Sequence, residues 1–172
     1  MGGPALIDGQ RVRSTDNFLM APIKIDGVVH LSCEHYYQYA KFDRLHSGGV
    51  KEHCSAITRA RHAEAAWSMG QSRRFPLIDN FEERKAELMY RGVRAKYAQH
   101  PSLAEELLAT RGPIHAAMST ADWQRVNSLI LERVREQLRI ARGDEPTIPH
   151  DRWAALLSLT GGREAWTEED AR

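Results

Sequence analysis

Apolar and polar residues alternate along Pro22-Ile23-Lys24-Ile25-Asp26-Gly27-Val28-Val29-His30-Leu31. A period of two interrupted by Asp-Gly predicts a short β-hairpin with a tight turn. A lone hairpin is marginal in water, so this one must pack on helices. Ser32 is placed to cap a helix whose first turn is Cys33-Glu34-His35-Tyr36. That helix carries Tyr36, Tyr37, Tyr39, Ala40 and Phe42 and should end before Gly48-Gly49. Thr58 predicts the cap of a second helix, Arg59 to Met69, with Gly70 as the residue just past its end. Asn80 followed by Glu83 reads as a capping box that opens a long helix with Leu88, Met89, Val93 and Tyr97 inside. Pro101 opens a shorter helix through Leu107 and Leu108, stopped by Gly112-Pro113. Ser119 or Thr120 opens the last long helix, where Trp123, Val126, Ile130, Val134 and Leu138 recur at helical spacing. Arg133, Arg135, Arg139 and Arg142 fall toward its C-terminal end, where cations suit the macrodipole.

The flanks read differently. Residues 1–16 are polar and Gly-containing and are expected to be a flexible segment. After Gly143 the run Gly143-Asp144-Glu145-Pro146-Thr147-Ile148-Pro149 predicts a linker. Asp151 to Leu159 then form one further amphipathic helix with Trp153, Leu156 and Leu157, and a polar tail from Gly161 frays. The expected fold class is mainly α: one helical domain over 17–142 with a small β-hairpin near its start, followed by the linker, helix and tail of 143–172.

The chain has 172 residues, enough for a single domain and core. Its formal charge of +1 argues against a general nucleic-acid coat, which needs a net basic face. One local basic pocket stays open. No apolar run approaches the ~18 residues of a membrane helix. Met1-Gly2-Gly3-Pro4-Ala5-Leu6-Ile7-Asp8 lacks the basic and apolar regions of a secretory leader, which predicts a cytoplasmic protein. Cys33 and Cys54 have no metal-ligand spacing and read as free thiols. A monomer or a homodimer fits this composition.

Three stretches carry candidate chemistry. In the first, Glu34, Gln38 and Lys41 stand at i, i+4 and i+7 and project from one helix face. Such a face suits a pocket wall, and equally an ordinary solvated face with a Glu that complements the helix dipole. In the second, Lys96 with Arg91 and Arg94 is either an anion site or a solvated basic face. In the third, Asp122-Trp123 precedes Asn127, and Trp123 and Asn127 share the apolar face. A Trp there is more often core than a platform for a ligand, but a buried Asn demands a partner. No Walker A loop, G-x-G-x-x-G or G-x-S-x-G run occurs, and the eight histidines are scattered.

Together these stretches resemble one family. Asn17-Phe18, Pro22 to Gly27, Ser32-Cys33-Glu34-His35-Tyr36-Tyr37-Gln38 with Lys41-Phe42, Met69-Gly70, Arg94-Ala95-Lys96-Tyr97, Leu107-Leu108-Ala109-Thr110, Asp122-Trp123, Asn127 and Arg135-Glu136-Gln137-Leu138 are similar, in order and rough spacing, to the YbiA-like (NADAR) family. The resemblance implies hydrolysis of a ribosyl C1′–N bond in a nucleotide-like small molecule. One branch acts on phosphorylated ribosylamino-pyrimidines of the riboflavin pathway. The alternatives are removal of ADP-ribose from nucleobases and a non-catalytic nucleotide-binding homologue. It also implies the site: Glu34 as the catalytic carboxylate and Asp122 as a second one, with Lys41 and Lys96 binding phosphate or the leaving base. Trp123 or Tyr36 would stack on the base, Asn127 and Gln38 would bond sugar hydroxyls, and Asn17, Phe18 and Arg125 would line the site. No cofactor or metal is needed for this chemistry. The resemblance departs at two places. Relatives carry a Gly-rich loop between the Trp and the Asn, whereas only Gln124-Arg125-Val126 separate them here. Ala117 also stands where relatives often carry Glu. Loss of the glycines would narrow the substrate range, shift phosphate binding to side chains such as Arg125, or abolish catalysis.

Overall fold

The computed structural model describes residues 2–46, 48–145 and 147–159. Strands β1 (Ala5–Ile7), β2 (Gln10–Val12), β3 (Ile23–Ile25) and β4 (Val28–His30) precede helices α1 (Cys33–Ala40), α2 (Val50–Thr58), α3 (Ala63–Gly70), α4 (Phe81–Gln99), α5 (Pro101–Leu108), α6 (Ala121–Ala141) and α7 (His150–Leu159). The fold is mainly helical, as the periodicity predicts, with two small antiparallel hairpins, β1–β2 and β3–β4. In β3–β4, Ile23 pairs with His30 and Ile25 with Val28. Asp26 and Gly27 turn the chain at φ 50° and 77°, the left-handed pair that a two-residue hairpin loop needs.

The segment expected to be flexible is instead built into the fold. Asp8-Gly9 repeats the Asp-Gly turn at φ 52° and 76°. Ala5 and Ile7 alternate inward. Leu6 exchanges backbone hydrogen bonds with His115 at 2.9 and 3.0 Å. The Asp8 carboxylate accepts from the backbone N–H groups of Arg111 and Gly112 at 2.8 and 2.7 Å. Its partners are more than 100 residues away in sequence, so no local pattern announces them.

Helix α1 is the hub, packed against α2, α3, α4 and β4. Around it Tyr36, Tyr37, Met89, Val93, Trp123, Ile130 and Val134 join the main core. A second cluster of Phe42, Val50, Cys54, Ile57 and Ala66 sits under α2 and α3. Each large apolar side chain buried this way contributes on the order of 1.5–3 kcal/mol.

Helix α2 has no counterpart in the sequence reading, and the starts of α3 and α4 differ from it in their caps. Thr58 does not open a helix; it closes α2, with its hydroxyl donating to the Cys54 carbonyl at 3.1 Å. The cap of α3 is His62, whose Nδ1 accepts from the Ala65 N–H at 3.2 Å. Gly70 is the last helical residue of α3, and the cap is Gln71. Asn80 does precede α4, but at φ 54° and without a side-chain cap bond, so the capping box does not form. The linker binds α6: Thr147 and Ile148 donate backbone N–H groups to the Glu136 carboxylate, and Arg152 bonds Glu132 at 3.0 and 2.5 Å. The polar tail expected from Gly161 lies outside the described residues. Among the described residues, no helix is long and apolar enough to cross a membrane.

Ser32 caps α1 as expected, its hydroxyl accepting from the His35 N–H at 3.2 Å. Ser32→Ala removes that acceptor from a buried helix end. The expected loss is about 1 kcal/mol, read as a fall in Tm of roughly 2–4 °C in a thermal melt.

Candidate active site

Three residues of its first turn hold α1 in place. The His35 ring lies between the Ser32 hydroxyl, 2.8 Å from Nδ1, and the Ala60 carbonyl, 3.0 Å from Nε2. The Cys33 thiol donates to the Gly92 carbonyl at 3.4 Å. The Glu34 backbone N–H donates to the Asn17 carbonyl at 3.0 Å. With the backbone fixed, the i, i+4, i+7 face cannot rotate.

That face is buried, not solvated. Glu34 and Gln38 are fully buried and Lys41 is 8 % exposed. Gln38 Nε2 donates to Glu34 Oε1 at 2.6 Å. Glu34 Oε2 and Gln38 Oε1 are buried and lack a hydrogen-bond partner among the described residues. Buried polar atoms are almost always satisfied in native proteins, so two such oxygens on one face point to a place for a polar molecule. Burial raises the Glu34 carboxyl above its ordinary range, partly offset by the Gln38 bond and the Lys41 charge. Burial also lowers the Lys41 ammonium to about 8, against the opposing pull of Glu34. A carboxyl group that holds its proton more tightly than usual and an ammonium that releases its proton more readily than usual therefore share a low-dielectric face.

A polar cluster continues from Glu34. Asn17 Nδ2 lies 3.5 Å from Asn127 Oδ1, and Asn127 Nδ2 donates to Ser119 Oγ at 2.9 Å. The Asn17 N–H donates to the Gly2 carbonyl at 3.1 Å. A Cβ at Gly2 would meet Asn127 Nδ2 and Ser119 Oγ, each at 3.0 Å, so Gly2 lies closely against this cluster. Trp123 stands edge-on to Tyr37, ring centroids 5.3 Å apart. The Tyr37 hydroxyl is pushed well above its usual range, first by burial and then by Glu34. Lys96 is fully buried and donates to the Asp16 carbonyl at 3.1 Å; burial lowers its ammonium. The Asp16 carboxylate, raised chiefly by burial, accepts from the Phe18 N–H at 2.8 Å and fixes the turn that presents Asn17.

The structure thus brings Glu34, Gln38, Lys41, Asn17 and Asn127 into linked positions, with Trp123 joined through Tyr37 and Lys96 through Asp16. Phe18 is half-buried beside them. Tyr36 lies elsewhere, edge-on to His30 at 5.3 Å and against Gly92. Asp122 and Arg125 are exposed on the first turns of α6. Sequence reasoning missed Ser119, Gly2 and the role of Gly70. The Gly70 position is set by approach: an added Cβ would sit 2.5 Å from Gln38 Cδ and 3.0 Å from its Cβ. Among the described residues, no group of three or more His, Cys, Asp or Glu could hold a metal ion.

A family model for the NADAR domain matches residues 10–139. The chain belongs to the NADAR domain family. This NADAR chain is 33% identical over 138 residues to N-glycosidase YbiA of Escherichia coli strain K12, covering 73% of this chain and 81% of that one. The same identity and coverage hold for N-glycosidase YbiA of Shigella flexneri serotype 5b. The chloroplastic riboflavin biosynthesis protein PYRR of Zea mays is 31% identical over 93 residues, 52% of this chain and 15% of that much longer one. The NMR structure of E. coli YbiA superposes with a TM-score of 0.61 at 29% identity, covering 80% of this chain and 84% of that one.

Proposed function

We propose that the protein is an N-glycosidase that hydrolyses the ribosyl C1′–N bond of a phosphorylated ribosylamino-pyrimidine. The observation that carries this reading is the buried Glu34, with one oxygen held by Gln38 and the other unpartnered among the described residues, on the face that also carries Lys41. The YbiA relatives, named N-glycosidases, support the reaction class, and similarity to a riboflavin biosynthesis protein supports the substrate.

Breaking the C1′–N bond puts positive charge on the sugar and negative charge on the departing nitrogen. The Glu34 carboxylate stabilises the first and accepts a proton from the water whose oxygen bonds to C1′. The Lys41 ammonium gives its proton to the departing nitrogen. The products are ribose phosphate and the free aminopyrimidine, and the proton taken by Glu34 returns through solvent to Lys41. Asn17, Asn127 and Gln38 bond the sugar hydroxyls, and Trp123 flanks the base. Lys96 acts through the Asp16 carbonyl it holds. The exposed Asp122 and Arg125 stand at the rim, where Arg125 meets the phosphate.

The assay is direct: incubate the purified protein with a ribosylamino-pyrimidine 5′-phosphate and measure ribose 5-phosphate and the free aminopyrimidine, with an ADP-ribosylated nucleobase in parallel. Release from the first substrate supports the proposal. Turnover of only the second reassigns the substrate, and ligand binding with no product from either removes the enzymatic reading.

The titration directions set the pH dependence. Glu34 must be ionised, and its carboxyl is raised, so activity rises with pH through a value above the ordinary carboxylate range. Lys41 must be protonated and titrates at about 8, so activity falls above that pH. A bell-shaped kcat/KM profile with its alkaline limb near that value is expected. A profile flat from pH 7 to about 10, the ordinary lysine range, would exclude Lys41 as the acid.

A further inference from the structure

A cavity of about 420 Å³ opens between β4, α1 and α2. Its walls include Val28, Tyr39 and Cys54, and three cations surround them: Arg44, Lys51 and Arg59. Among the described residues, no Asp or Glu lines it. Among the described residues none of the three cations has a carboxylate within ion-pair distance. Elsewhere on this nearly neutral chain, Arg91, Arg142 and Arg152 each pair with an acid. The cavity is thus a local excess of positive charge around apolar walls.

Two of the cations are already positioned. The Arg44 guanidinium lies over the Tyr39 ring, 4.5 Å from its centroid. Arg59 donates to the Ser55 hydroxyl at 2.5 Å. A guanidinium lying on a phenol ring offers its outer face to another flat group. Mainly apolar walls with a few convergent polar groups, at a volume of several hundred Å³, are what small-molecule sites share. Tyr39 is five residues beyond Glu34, about 140° round α1 at ~3.6 residues per turn. The cavity therefore faces away from the Glu34–Gln38–Lys41 face and shares no lining residue with it.

We propose that this cavity is a second ligand site, for a mononucleotide-like anion. A flat heteroaromatic ring stacks on the outer face of the Arg44 guanidinium, and its phosphate sits between Lys51 and Arg59. The assignment stands independently of the reaction proposed for Glu34.

The test uses the full chain, ¹⁵N-labelled, titrated with adenosine 5′-monophosphate, adenosine and inorganic phosphate, with calorimetry for affinity. The nucleotide is expected to shift the Ser55 and Thr58 amides and to bind more tightly than either fragment. Replacing both exposed rim cations (Lys51→Ala with Arg59→Ala) is expected to weaken it by about tenfold or more. Glu34→Gln should leave it unchanged. No shift at Ser55 and Thr58 with millimolar nucleotide overturns the proposal, as does equal affinity for inorganic phosphate. Unchanged affinity in the double variant, or loss of binding in Glu34→Gln, places the nucleotide elsewhere and overturns it as well.

Discussion

Glu34→Gln is expected to lower kcat by about a thousandfold, within the range for removing a general acid or base, while leaving the protein folded and its Tm undiminished. The two halves have one cause. Glu34 is fully buried and its carboxyl is raised by that burial, so ionising it costs more in the native state than in the unfolded chain. A group whose folded pKa lies above its unfolded one weakens the fold at pH values above the unfolded pKa. The neutral amide removes that penalty and keeps a partner for Gln38. Buried charges retained at such a cost are what active sites carry. Measured kcat with the ribosylamino-pyrimidine phosphate, beside a thermal melt, checks both. A variant that loses activity together with several degrees of Tm would make Glu34 structural.

Gly70→Ala is expected to destabilise the fold by about 1–3 kcal/mol, the usual cost of overfilling a packed site, and to cut kcat at least about tenfold, some 1.4 kcal/mol of barrier. Helix propensity points the other way, since Ala in place of a helical Gly gains up to ~1 kcal/mol. The clash wins because an added methyl lands on the buried Gln38 carboxamide, 2.5 Å from its Cδ. Gln38 cannot swing into solvent, because it is fully buried. Displacing it breaks the 2.6 Å bond that orients Glu34 Oε1. Adding Gln38→Ala makes room for the methyl, so the double variant should regain stability without regaining activity. A single variant that melts and turns over like the wild type would show that Gln38 does not orient Glu34.

The legible parts of this chain were those written in local patterns. Alternation and Asp26-Gly27 located the β3–β4 hairpin, Ser32 located the start of α1, and the spacing of Trp123, Val126, Ile130 and Val134 located α6. The sequence reading has no helix over Val50–Thr58 and starts α3 too early, because Thr58, a conventional cap residue, closes α2 instead and the cap of α3 is a histidine, a residue that rarely serves there. The first hairpin carries at Asp8-Gly9 the same turn signal as β3–β4; what the sequence does not show is its anchoring at Arg111, Gly112 and His115. The site divides the same way. Spacing alone put Glu34, Gln38 and Lys41 on one face. It did not say whether that face met water or the interior, since burial is decided by α3 and α4 closing over α1. Ser119, Gly2 and Gly70 carry no local signal, because each matters only for what approaches it. Lys96 read equally well as a solvated cation; the fold buries it against the Asp16 carbonyl.

The most direct measurement is a structure of the Glu34→Gln variant with the intact ribosylamino-pyrimidine phosphate bound. The anomeric carbon should lie on the α1 face, with one water between it and the carboxamide that replaces the Glu34 carboxylate. Both should lie within about 3.5 Å of that water, and the departing nitrogen should face Lys41. An anomeric carbon held elsewhere, with the α1 face closed and empty, would contradict the role given to Glu34.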